Sequence, residues 1–298
     1  MIEVSNLTKR YQTKKVLTNI NLSLKQNQTL GLVGRNGAGK TTLIKIILGF
    51  LRPTEGEVKL FGRKAAANHG SVGYLPEQAS YHLVFSGQEY LTLLGKMSGL
   101  SAVENRVSEV LDLVGMTRDA SRRMSRYSKG MLQRLGVAQA ILLDPALLIL
   151  DEPLTGLDPA GQKDLRDIII EMQRQHKSIL LCSHLLNEVE RVCSHFSIIH
   201  NSSIIAQGSL QKELFSSNDY KIKASGISEE MFAKLREIFN LSKLSADDYL
   251  FKEETGGQKE SLLRSLLDGG ATIAELGPVQ KSLEDYFLRA TGGQYEDH

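Results

Sequence analysis

Two short stretches carry residue types suited to phosphate chemistry. "GRNGAGKT", Gly34 to Thr41, fits the P-loop pattern and lies between an apolar run and a helical period. Its glycines let the backbone curl around phosphates with N–H groups pointing inward. Gly34, Arg35, Asn36, Gly37, Ala38, Gly39, Lys40, Thr41 and Thr42 are therefore the expected nucleotide-binding loop. Lys40 would reach the β and γ phosphates, and the Thr41 hydroxyl would join a magnesium shell. The second stretch, "LLILDEP", would deliver Asp151 and Glu152 to the end of a buried strand. Asp151 suits holding Mg2+, directly or through water, while Glu152 suits orienting or deprotonating an attacking water. An N-cap or a solvated acidic turn is the plainer reading of that pair taken alone.

Three further residues could join this chemistry through their place in the order. His184 follows "SILLCS" and would contact a γ-phosphate and position water from a strand end, although a lone histidine there is more often structural. Gln78, after "GYLPE", would reach magnesium or water. Tyr11, upstream of the loop, offers a π face on which a base can stack. A separate stretch, "SRYSKGMLQRLG", places Ser128 where an N-cap belongs. Its hydroxyl and the following N–H groups, that of Gly130 included, form a partial positive pole able to hold an anion. Read alone, it is better taken as an ordinary helix cap, since serine caps are common.

The elements that must position these residues show in the pattern. "NINLSLK" alternates like a half-exposed strand, whereas "TLGLVG", "LLILDE" and "SILLCSH" are short apolar runs suited to buried strands, so a mixed sheet with a parallel centre is expected. Helical periods follow the P-loop and cover Gln88 to Val114, Lys129 to Leu143, and Gly161 to Gln175. A helical lobe over about residues 79–135 would stand beside the strand-helix core. The polar "SSND" suggests a boundary, giving units 1–218 and 219–298. Beyond it, the order strand, helix, two strands, helix, strand, helix fits a small α+β, ferredoxin-like domain.

Composition narrows the classes. At 298 residues with a formal net charge of +2, the chain has room for one large or two modest domains and no electrostatic case for nucleic acid as a main partner. Cys182 and Cys193 have neither zinc-like spacing nor disulfide density, which suggests a reducing compartment. The N-terminal residues "MIEVSNLTKRY" lack a signal-peptide core, and no apolar run approaches the ~18 residues that span a bilayer. A cytosolic location is expected.

The order Tyr11, "GRNGAGKT", Gln78, "YSKGMLQR", "LLILDE", "GLD" and His184 closely resembles the nucleotide-binding subunit of ATP-binding cassette (ABC) transporters over roughly residues 1 to 215. The joint pattern is specific, because unrelated P-loop proteins share only the phosphate loop and the acidic strand end. The resemblance implies an α/β P-loop ATPase that takes ATP and Mg2+ and pairs head to tail with a second copy or a paralogue. Ser128 and Gly130 would then contact the γ-phosphate in trans, Asp158 would link across the pair, and Glu152 would be the catalytic carboxylate. It also implies an integral-membrane permease as partner, with the cassette peripheral on the cytoplasmic membrane face.

The signature departs from the family's Leu-Ser-Gly-Gly-Gln: Tyr127, Lys129 and Met131 stand at its first, third and fifth positions. The change at Met131 puts in doubt ribose contacts that the glutamine would make, and Lys129 is read as helping to hold the facing nucleotide or subunit. This signature form, with the C-terminal ending "SLEDYFLRATGG", resembles ATPases of ABC-2-type export systems. "YSKGMLQRLGVAQAIL" and "IKASGIS" incline toward those of nitrous oxide reductase maturation. A soluble ABC protein acting on ribosomes or DNA is the competing class, but neither a second cassette nor a coiled-coil insertion before the signature is visible. A GTP switch would need a guanine-reading Asn-Lys-x-Asp stretch, which the sequence lacks.

Overall fold

The chain opens with an antiparallel pair, β1 (Ile2–Tyr11) and β2 (Lys14–Leu24). After β3 (Thr29–Val33) and α1 (Lys40–Ile47), β4 (Glu55–Leu60) and β5 (Arg63–Lys64) extend that pair into a four-stranded sheet of order β2-β1-β4-β5. Every residue of β3 is buried, as it is in β7 (Leu147–Asp151) and β8 (Ser178–Ser183). Continuous apolar runs cannot leave one face in water, so these strands form the parallel centre of the second sheet. With β6 (Val72–Leu75), β9 (His195–His200) and β10 (Ser203–Ser209), its order is β10-β9-β3-β8-β7-β6, only β10 running antiparallel to its neighbour.

The half-exposed "NINLSLK" thus lies in β2 of a separate antiparallel sheet, not in the mixed one. Its alternation buries Ile20, Leu22 and Leu24 on one face, against the same core that takes Leu43, Ile44 and Ile47 of α1 and Leu30 and Leu32 of β3. This shared core fixes the P-loop, which joins β3 to α1, between the two sheets.

The lobe contains α2 (Gly87–Met97), α3 (Val103–Leu113) and α4 (Lys129–Ile141). A capping box of Ser86 and Glu89 starts α2. The single helical period from Gln88 to Val114 is two helices, broken at "SGLSA", where Ala102 takes a left-handed φ of 45°. Two further helices, α5 (Pro159–Arg174) and α6 (Leu186–Val192), follow β7 and β8. α7 (Leu210–Phe215) comes after β10.

The computed structural model describes residues 1–64, 72–215, 218–279 and 282–291. The chain forms two compact units, Met1–Ser209 with the chain from Phe287 on, and Leu210–Tyr286. The second unit carries β11 (Asp219–Ser225), α8 (Glu229–Phe239), β12 (Ser242–Lys243), β13 (Asp248–Lys252), α9 (Gln258–Asp268) and β14 (Thr272–Pro278). Its antiparallel sheet has the order β12-β13-β11-β14, the arrangement of a split β-α-β unit, over a core that includes Ile222, Phe251, Leu262 and Leu266. The final described helix is α10 (Leu283–Ala290), whose buried Phe287 meets His200 edge to face at 6.3 Å. α7 thus belongs to the second unit and the chain from Phe287 on to the first, a division that differs from the boundary suggested by "SSND". No helix among the described residues is long and apolar enough to cross a membrane.

Candidate functional site: a phosphate cleft and a separate signature cleft

The P-loop leaves β3 and enters α1 at Gly39, whose φ of +110° is open to glycine and whose added Cβ would fall 2.9 Å from the Val16 carbonyl oxygen. Gly39 supplies no side-chain cap, so the first N–H groups of α1 remain available to an anion. A cleft of about 350 Å³ opens over this helix start. Its walls are Val16, Asn36, Gly37, Gly39, Lys40, Thr41, Thr42, Glu77 and Glu152.

Inside it the strand-end carboxylates meet the loop. The Thr41 hydroxyl donates to Asp151 Oδ2 at 3.1 Å, while Lys40 Nζ donates to the Gly34 carbonyl at 2.6 Å and stands 3.1 Å from Glu152 Oε1. Glu152 Oε1 is in ion-pair contact with Lys40 and has no other partner among the described residues. The other oxygen, Oε2, accepts from the Thr155 hydroxyl at 3.0 Å and lies 2.8 Å from His184 Nδ1. β8 ends at Ser183, and that is why His184 arrives beside Glu152, whose N–H donates to the Cys182 carbonyl at 2.9 Å. Glu152 holds a φ of +52°, uncommon for a residue with a side chain, so its carboxylate is aimed by a strained turn.

Asp151 is wholly buried, and its Oδ1 has no hydrogen-bond partner among the described residues. Burial raises its pKa to about 6, with the Thr41 hydrogen bond opposing and the Glu152 and Glu77 charges adding to the rise. A buried acceptor oxygen next to a hydroxyl, all hard oxygen donors, fits Mg2+.

Two of the expected residues, Gln78 and Tyr11, are not among those that line the cleft. Glu77, not Gln78, lines the cleft and acts electrostatically on Asp151, while Gln78 is exposed. Both follow the end of β6 and both are exposed, but only Glu77 borders the cleft; "PEQ" offers no periodicity to say which of the two would. Tyr11 does not line the cleft either: it is exposed at the end of β1, with Lys9 Nζ 5.0 Å above its ring. The apolar wall is Val16 of β2, and nothing in the sequence separates it from an ordinary strand valine.

Ser128 and Gly130 belong elsewhere. Ser128 caps α4, its hydroxyl accepting from the Met131 N–H at 3.2 Å. Tyr127 is buried and donates its hydroxyl proton to the Asp119 carbonyl at 2.7 Å, so it anchors the turn structurally. A second cleft, of about 410 Å³, is lined by Ser128, Lys129, Gly130 and Met131 together with Gly156 to Asp158 and the start of α5. There Asp158 caps α5, accepting from the Gly161 N–H at 3.0 Å. No lining residue is common to the two clefts.

Comparison with known proteins agrees with this geometry. The ABC transporter family model matches residues 17–155. An uncharacterized ABC transporter ATP-binding protein of Synechocystis sp. is 34% identical over 97% of this chain and 84% of its own length. The bacitracin transport ATP-binding protein BcrA of Bacillus licheniformis is 31% identical over 98% of each chain. The solved structure of an ATP-binding subunit of an ABC transporter, 32% identical, matches with a TM-score of 0.65 over 71% of this chain and 91% of that one. A phosphate loop facing an acidic strand end, within a chain alike to the Synechocystis and Bacillus licheniformis proteins over nearly its whole length, makes this protein a member of the ABC transporter family, an ATP-binding subunit and ATPase.

Proposed function

We propose that the chain pairs head to tail with a second copy or a paralogue, that each ATP is held between the P-loop of one subunit and Ser128 and Gly130 of the other, and that hydrolysis drives a separate permease. The observation that carries this reading is the separation of the two clefts. Within one chain Ser128 has no phosphate loop beside it, so its anion-holding pole is surplus unless the anion belongs to a neighbour.

Hydrolysis follows from the contacts around Glu152. Lys40 is held by Glu152 and the Gly34 carbonyl, and an incoming polyphosphate competes for its ammonium. Release of Lys40 leaves Glu152 Oε1 free to take a proton from water, while His184 and Thr155 fix Oε2 and so the direction of the carboxylate. Thr41 and Asp151, with Glu77 on the adjoining wall, would hold Mg2+, which when bound offsets charge on the β and γ phosphates. Asp158 stands on the rim of the second cleft, where it would face the partner subunit.

The likeness along the whole chain to BcrA, a bacitracin transport ATP-binding protein, supports a transport role, which we read as that of an ABC-2-type exporter, and favours an antibiotic-like cargo over nitrous oxide reductase maturation. Leu83 and Val84, exposed on the loop before α2, supply an apolar surface for the permease, which would hold the cassette at the cytoplasmic membrane face. The arrangement is tested by mixing Ser128→Arg and Lys40→Ala chains. Each alone should be inactive, and the mixture should regain partial turnover through one intact composite site. Absence of recovery in a mixture shown to contain mixed pairs refutes the head-to-tail arrangement.

A further inference from the structure

Lys129, read from the sequence as helping to hold the facing nucleotide or subunit, also has a neighbour within its own chain. It is the first residue of α4, exposed, and makes no ion pair or hydrogen bond among the described residues. Its side chain nevertheless has a definite destination. A Cβ built on Gly156 would overlap Lys129 Nζ and lie 3.2 Å from its Cε and 3.8 Å from its Cδ. The end of the lysine therefore lies against Gly156, in the space that its missing side chain leaves open. Gly156 also has a φ of +71°, a conformation that disfavours other residues there whatever the space.

The loop that receives this contact is weakly tied by its own backbone. The Thr155 N–H reaches the Glu152 carbonyl at 3.3 Å and the Leu157 N–H reaches the Leu154 carbonyl at 3.4 Å, both longer than a strong N–H to O bond. This loop nonetheless carries Thr155, which fixes Glu152, at one end and Asp158, the cap of α5, at the other. A side chain lying across its middle restrains both.

We propose that Lys129 is a positioning residue: by packing its stem end on Gly156 it ties the Ser128–Met131 turn to the Thr155–Asp158 loop of the same chain. The two strips then present themselves to a second chain as one surface. This rests on the head-to-tail reading only for its functional consequence; the contact itself concerns a single chain. Methionine reaches as far as the lysine Cε and keeps that part of the contact while dropping the ammonium, so it substitutes for lysine in packing; alanine loses the whole contact.

Two measurements on the full chain separate this inference from the reading beneath it. Hydrogen exchange of residues 155–158 in the nucleotide-free protein should quicken several-fold in Lys129→Ala and stay near wild type in Lys129→Met. In a Glu152→Gln background, the ATP concentration at half-maximal dimerisation should rise several-fold with Lys129→Ala and be restored by Lys129→Met, while ATP binding measured on monomers by the P-loop is unchanged. Unaltered exchange in Lys129→Ala, or equal impairment by alanine and methionine, overturns the positioning role. If Glu152→Gln alone never dimerises with ATP, the head-to-tail reading fails while the exchange result still decides the fate of the Lys129 contact.

Discussion

Replacing Asp151 by asparagine should stabilise the nucleotide-free protein while disabling it. In the folded chain the Asp151 carboxyl has a pKa of about 6 against 3.8 for the unperturbed group, chiefly because it is wholly buried. Below the lower value both states hold the proton and no difference arises. Above the higher value both are ionised, and the folded state bears the full cost of a buried charge. Stability from this group is therefore lost as pH rises from about 4 to about 6. A rise of about two pH units at 1.36 kcal/mol each amounts to about 3 kcal/mol at neutral pH. Asparagine removes that cost, keeps an oxygen for the Thr41 hydroxyl, and leaves an amide nitrogen unpaired in place of Oδ1, which offsets about 1 kcal/mol. The net gain of about 2 kcal/mol corresponds to a rise of roughly 4–8 °C in melting temperature at this size. The assay is thermal unfolding of both proteins in EDTA from pH 4 to 8, read as the difference between them. It should be near zero or slightly negative at pH 4 and grow to its full size above pH 6. Adding Mg2+ and ATP should reverse the ranking, since only wild type retains the carboxylate. An Asp151→Asn protein no more stable than wild type at pH 7.5 in EDTA, or a difference independent of pH, refutes the argument.

Glu77→Gln removes a like charge near Asp151, so the pH at which that difference develops should move downward, and an unmoved midpoint would mean Glu77 is too far away to matter. Glu152→Gln should lower turnover by about 10²–10⁴-fold with ATP binding kept, as expected for loss of a general base; near-normal steady-state hydrolysis would remove Glu152 from that role. Phe287→Ala should destabilise the first unit by about 3–5 kcal/mol, because a fully packed ring is lost beside His200; a melting temperature within a degree of wild type would show that α10 contributes little there. Deleting residues 219–298 removes most of the second unit together with the Phe287 end of the first, and should produce a folded but less stable cassette, checked by circular dichroism and ATP binding; a fully unfolded product would show that the first unit cannot fold without the deleted segment.

How much of the site could be read beforehand depended on how local each feature is. "GRNGAGKT" joins a strand to a helix within a few residues, and "LLILDE" is a buried strand ending in its own carboxylates; such features need no distant partner to be recognised. The parallel centre was legible for the same reason, since β3, β7 and β8 are apolar on both faces. "NINLSLK" was legible as a strand but not as a member of a second sheet, because alternation tells which face is buried and not which neighbours are paired.

By itself, then, the sequence determined a phosphate loop, an acidic strand end, a capped helix at Ser128 and the α/β class that joins them, all through contiguous residues and their periods. Tertiary structure alone decided that Glu77 and Val16 line the cleft and that Asp151 is held near pKa 6. It also decided that Lys129 lies on Gly156. Each of these depends on distances between segments remote in the chain, and on the water they exclude from one another. Burial and electrostatic coupling are properties of that packing, not of residue order.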